Sequence, residues 1–185
     1  LEMAMITYKN NPAAPARAQI NVLLGKDSSI QSETMTITGS ALNVHGTVTF
    51  GVNGDLARVD LPDVRAGPSN DFAVVYSETA ANGLDVNVRG KSADGTGLGH
   101  RKAAQANATP AGQAPSTEPF HYSVHLDRVV MRDNVSLSNF SLDTQGVGNS
   151  PQTMLLSSSL GKAKISGSIA PSDAGRRVLL TADDA

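Results

Sequence analysis

The stretch from Ala41 to Asp94 reads ALNVHGTVTFGVNGDLARVDLPDVRAGPSNDFAVVYSETAANGLDVNVRGKSAD, and its alternation decides the fold. Leu42, Val44, Gly46, Val48 and Phe50 fall on one parity, with Asn43, His45, Thr47 and Thr49 on the other. That is the period of a half-buried strand. Val52-Asn53-Gly54-Asp55 supplies a tight turn, because Asn-Gly accepts positive φ. Beyond it Ala57, Val59 and Leu61 alternate with Arg58 and Asp60, and later Leu84, Val86, Val88 and Gly90 alternate with Asp85, Asn87, Arg89 and Lys91. A sheet with one apolar and one wet face follows.

The same pattern extends outward in both directions. Upstream, Ala18, Ile20, Val22 and Leu24 alternate with Arg17, Gln19 and Asn21; Gly25-Lys26-Asp27 turns the chain, and Ile30 to Thr38 is a strand with Met35 and Ile37 inward. Met3 to Tyr8 is a further short apolar segment. Pro62-Asp63 and Gly67-Pro68-Ser69-Asn70 predict a loop between Leu61 and Phe72, since Pro and Gly interrupt a ladder. Phe72 to Tyr76 is apolar on both parities, as in a strand covered on both faces or one lining an apolar concavity.

From Gly95 to Pro119 large apolar residues almost vanish in favour of Gly, Ala, Pro, Gln, Thr and Ser. The composition is that of a linker or long loop. The expected organisation is a β-sheet block over 1–97, a flexible Gly/Ala/Pro-rich connection over 98–118, and a second block over 119–185 that continues the same sheet. In the second block Phe120, Tyr122, Val124 and Leu126 oppose His121, Ser123, His125 and Asp127. Arg132-Asp133-Asn134 reads as a turn. Val135 and Leu137 are out of phase with Phe140 and Leu142, which predicts a bulge near Asn139. Ala163, Ile165, Gly167 and Ile169 then alternate with Lys164, Ser166 and Ser168, and Val178 to Leu180 is the last strand. Roughly ten to twelve short strands and no amphipathic helix make the fold class all-β. The expected form is an elongated, curled antiparallel sheet enclosing a groove or, failing that, a β-sandwich.

Composition narrows the function classes. The 185 residues carry 15 Lys and Arg against 17 Asp and Glu, a net charge of -2 with no basic run, so no nucleic-acid partner is expected. Cys is absent, which removes disulfides, thiolate metal sites and a Cys nucleophile. No stretch approaches the ~20 apolar residues of a spanning helix, and no signal-peptide pattern is seen. Leu1-Glu2, readable as a cloning scar, and a stop just after an apolar strand lead to the expectation that the chain is a piece of a longer protein.

Reactive constellations are weak throughout. His121, His125 and Asp127 share a strand face, but spacings of two and four residues separate side chains by roughly 7 and 13 Å, too far for one ion without a neighbouring strand. A wet strand face explains all three. Gly95-Thr96-Gly97-Leu98-Gly99 lacks the helix and the Lys-Ser/Thr ending of a phosphate loop. Ser157-Ser158-Ser159 has no base at a readable spacing. The triplets at Asn107, Asn134 and Asn139 fit N-glycosylation but read as turn and strand residues. A carbohydrate-active enzyme fits poorly with a chain that has no Trp for sugar stacking. No catalytic residue, metal ligand or cofactor is assigned, and the chain is expected not to be an enzyme.

The apolar face remains. It suits a sandwich core, or an open trough for acyl chains. On parity, the candidate lining is Val44, Val48, Phe50, Val74, Val86, Val88, Val124 and Leu126.

The order of segments G-T-V-T-F-G-V-N-G-D-L (46–56), V-D-L-P-D-V (59–64), D-F-A-V-V-Y (71–76) and L-D-V-N-V-R-G-K-S-A-D (84–94) resembles the repeating β segments of the AsmA-like family of bacterial envelope proteins, of the YhdP and TamB type. K-I-S-G-S-I-A-P (164–171) followed by G-R-R-V-L-L-T-A-D-D-A (175–185) resembles the place where such proteins run from a strand pair toward a helix. The resemblance implies a curled sheet with an apolar groove that binds phospholipid or another acyl-chain lipid and supports its passage between membranes. It also implies a periplasmic location and a parent anchored in the inner membrane. Expected partners are lipid and the remaining segments of the parent, and edge-strand self-association is expected where cut edges are left unpaired.

Overall fold

Among the described residues eleven strands lie side by side in the order in which the chain makes them, all in one sheet. The computed structural model describes residues 15–79, 83–96, 117–131, 135–148, 150–173 and 175–183. The strands are β1 Arg17–Leu24, β2 Ile30–Gly39, β3 Leu42–Phe50, β4 Leu56–Ala66, β5 Asn70–Thr79 and β6 Gly83–Asp94. They continue as β7 Pro119–Val130, β8 Ser136–Val147, β9 Ser150–Leu160, β10 Ala163–Ser172 and β11 Gly175–Ala182. Residues 98–116 of the expected connection lie outside the described residues, as do Met3–Tyr8, the turn at 132–134 and the Asn107 triplet. β6 pairs directly with β7, so the strands before and after that connection share one sheet.

Short hairpin turns make this order local. Gly54 has φ 79°, and the amide of Gly51 donates to the carbonyl of Asp55 at 2.8 Å, closing the turn between β3 and β4. At the β1–β2 turn the Asp27 carboxylate accepts from the amide and the hydroxyl of Ser29, at 3.1 and 2.6 Å. These bonds hold its pKa below the usual carboxylate value, the hydroxyl bond most.

Two expectations from the sequence are corrected. Pro62 and Asp63 lie inside β4 and not in a loop. The register gives β4 one extra residue between Leu61 and Val64 against both neighbours, and Pro62 occupies that bulge, where the ladder is already interrupted. The extra residue returns Val64 to the same face as Leu61. Only the short turn before Asn70 remains of the loop; there the Asn70 amide nitrogen donates to the carbonyl of Ala66, and its oxygen accepts from the amide of Asp94.

The second correction concerns strand direction. The sheet is mixed, because β6 and β7 run parallel, Leu84 facing Phe120 and Asp94 facing Val130. A parallel neighbour needs a crossover of a dozen or more residues, and the long segment between Asp94 and Pro119 is the one connection here of that length. The other described junctions are antiparallel. The bulge expected near Asn139 is present: the β8–β9 register shifts between Ser138 and Ser141, and Asn139 has φ 51°.

Leu61 is 0% exposed and Val64 1%. A flat single layer leaves its face in water, so the sheet must curl over these side chains. It does not close into a barrel: β1 and β11 stand at opposite ends of the strand order. The protein is an all-β, unclosed, curled sheet, and the sandwich alternative of two packed sheets does not apply.

Candidate binding face

The strand registers line up inward side chains into rows that cross the sheet at right angles to the strands. One row touches every strand. It runs Val22, Glu33, Val48, Val59, Tyr76 and Val86 over β1 to β6. Past the parallel junction it continues through Tyr122, Thr144, Met154, Ile169 and Val178. Beside it a second row passes from Leu61 on β4 through Val74, Val88, Val124, Leu142 and Leu156 to Gly167 and Leu180 on β11. At about 4.8 Å per strand, eleven strands make a face roughly 48 Å long.

All eight residues selected by parity fall in one hydrophobic cluster on this face. Val48, Val88, Val124 and Leu126 are buried in it; Val44, Phe50, Val74 and Val86 are half-buried against it. The cluster also contains residues that parity did not select. Val59 and Leu61 lie on the visible alternation and Phe72 in a segment apolar on both parities, whereas Val64 and Val129 follow three-residue steps that break it. Those steps match between neighbours: Gly90 and Ala93 face Leu126 and Val129, which face Phe140 and Leu137. A phase change in one strand is therefore followed by the next, and the apolar face survives it.

Burial along the face is uneven. The middle, from β3 to β8, is packed by its own side chains. Toward the two edges the inward side chains open to water: Ile20 is 59% and Val22 48% exposed on β1, Val178 68% and Leu180 70% on β11. Two polar groups interrupt the long row. Thr144 donates its hydroxyl to the carbonyl of Thr153 at 2.9 Å, and Glu33 sits half-buried among Val22, Val48 and Met35. Tyr76 donates to the Glu78 carboxylate at 2.9 Å; partial burial first, and that bond second, push its phenol up to about 12.

The opposite face is mainly polar, with Leu23, Leu155 and Leu179 exposed on it, and carries its own rows. His121 reaches Oδ1 of Asp85 through Nδ1 at 3.0 Å and Oδ2 of Asp143 through Nε2 at 3.1 Å. The Asp143 bond is the main cause of its raised pKa, with Asp85 adding and partial burial opposing. His125 lies 3.5 Å from the Ser123 hydroxyl, and Asp127 is exposed. The three residues that share this strand face thus do not converge; His121 is taken by carboxylates of the adjacent strands. Among the described residues no group of three His, Cys, Asp or Glu is placed to hold a metal ion. Asp63, Arg65, Asp71 and Lys91 form a chain of exposed ion pairs over β4 to β6, worth little individually. A hollow of about 430 Å³ over β8 to β11 is lined by Asp143, Ser157, Ser166 and Ser168 with Leu155 and Leu179.

Comparison with protein-family models, curated proteins and solved structures gives no match for this chain. The face must be interpreted from its own chemistry. It offers a long strip of aliphatic and aromatic surface, with carboxylates on it at Glu33 and Glu78, and water access at its two margins.

Proposed function

We propose that the chain is a non-enzymatic segment of a bacterial cell-envelope protein of the AsmA-like type, and that its concave face holds the acyl chains of phospholipid or a similar lipid. The observation that carries this reading is the row from Val22 to Val178, which crosses eleven strands with only Glu33 and Thr144 interrupting it. An acyl chain laid along the rows would bury its methylenes at about 0.8 kcal/mol each. Because successive strands offer similar side chains, the chain could shift by one strand at little cost, which suits passage better than storage. Head groups would remain in water at the open margins near β1 and β11. On this reading the protein works in the periplasm, within a parent anchored in the inner membrane.

A second reading has its own support. Leu61 and Val64 leave no accessible surface to speak of, as in a finished core, and this favours a structural β module with no small ligand. The two differ in what the purified protein carries. Native mass spectrometry after incubation with phospholipid should show reproducible mass additions of one or more intact lipids. A clean protein mass, with no uptake of a fluorescent fatty acid, would leave the structural module.

A further inference from the structure

We propose that β11 of one copy of this chain pairs antiparallel with β1 of a second copy, in the register that sets Val178 opposite Val22, so that copies join head to tail. Both strands are eight residues long and exposed along their whole length. Among the described residues neither has a partner on its outer side, so each presents a free row of backbone donors and acceptors. Nine junctions of the sheet reverse the chain and one does not, so β1 and β11 run in opposite directions. Adding a second copy by simple continuation of the sheet therefore makes an antiparallel junction.

The register follows from the long row, which begins at Val22 and ends at Val178. Setting these two opposite one another places Leu180 against Ile20 and Ala182 against Ala18, all on the apolar face. It also sets Asp183 opposite Arg17. The backbone of Asp183 remains laddered, its amide donating to the carbonyl of Lys164 at 2.9 Å, so the strand geometry extends to that residue. Apolar side chains thus meet apolar ones from Ala18 to Val22, and an acid meets a base, while the same register sets Arg176 and Arg177 against Leu24 and Leu23. The competing two-fold arrangement is β11 against β11 centred on Leu180, which sets Arg177 against Asp183 and Val178 against Ala182; β1 against β1 centred on Asn21 sets Arg17 at the Gly25 turn with no acid opposite it, and only the head-to-tail junction joins the two ends of the long row. A head-to-tail contact does not close on itself unless its rotation does, so it builds series of copies or rings.

The experiment is analytical ultracentrifugation of the full chain and two edge variants over a wide concentration range. Val22→Lys blocks the β1 edge and Leu180→Lys the β11 edge; both positions are solvent-exposed, and circular dichroism checks that the fold is kept. The unmodified chain should form dimers and higher oligomers as concentration rises. Each variant alone should stay monomeric, and an equimolar mixture should form a dimer and stop there. Arg17→Asp should weaken association roughly five- to tenfold and Asp183→Arg should restore it in the double variant. An unmodified chain that is monomeric throughout would overturn the proposal. So would a variant that dimerises by itself, since that requires pairing between like edges.

Discussion

Asp85 on β6 and His121 on β7 stand opposite one another across the parallel junction, with the carboxylate Oδ1 3.0 Å from the imidazole Nδ1. The other ring nitrogen reaches Asp143 on β8, so one side chain ties three strands where the sheet changes its direction rule. Only the imidazolium can donate from both nitrogens at once.

Stability should accordingly depend on pH in one direction. The folded state raises the pKa of His121, chiefly through Asp143 and then Asp85, so it favours the protonated ring. The contribution is complete below the ordinary histidine value of 6.5 and is lost as pH rises through the raised value. The cluster is well exposed and screened, so the melting temperature should fall by no more than about 2–4 °C between acid and alkaline buffer. His121→Gln should remove that part of the slope. An unchanged slope in the variant would assign it to other groups.

Core and margin should respond differently to the same truncation. Leu61 is fully enclosed, and Leu61→Ala should cost about 2–5 kcal/mol in urea unfolding, a large share of an ordinary domain's stability. Leu180→Ala, at the open margin, should stay within about 0.5 kcal/mol in dilute solution. Equal costs would mean that the face is packed uniformly, with no open margin.

Gly46 on β3 has no room for a side chain against β4. A Cβ there would overlap the carbonyl oxygen of Asp60 and lie 2.5 Å from Cδ2 of Leu61, so Gly46→Ala should destabilise by about 1–3 kcal/mol. Gly167 lies in the second row, where a Cβ would meet Leu156 at an ordinary 3.4 Å. Gly167→Ala should be neutral or gain a few tenths of a kcal/mol, roughly the entropy glycine loses in a strand. Paired denaturation curves of the two variants check this contrast.

Much of the architecture was legible because period-two alternation is a local property. Val44 and Val48, or Val86 and Val88, declare their common face without knowledge of any partner strand. Pro62 misled because its effect depends on register: in a paired strand it ends the ladder, but in the β4 bulge it occupies a place already outside it. The parallel junction was hidden because direction is set by the path between Asp94 and Pro119, not by the residues of β6 and β7. The His121 cluster was hidden for the same reason. Asp85 and Asp143 lie on strands whose register with β7 no spacing in the chain reveals. The uneven burial of the face was equally beyond reach, since Val124 and Val178 look alike in sequence and differ only in how many strands flank them.

Lipid held as proposed contacts the concave face and not the other. Met154 and Thr153 are neighbours on β9 whose side chains point to opposite faces, the first into the long row and the second away from it. A photo-crosslinking residue placed at each, with irradiation in the presence of phospholipid, reads the contact directly. The account predicts strong lipid capture at position 154 and little at 153. Equal capture at both positions, or none at 154 in a folded protein, would contradict it.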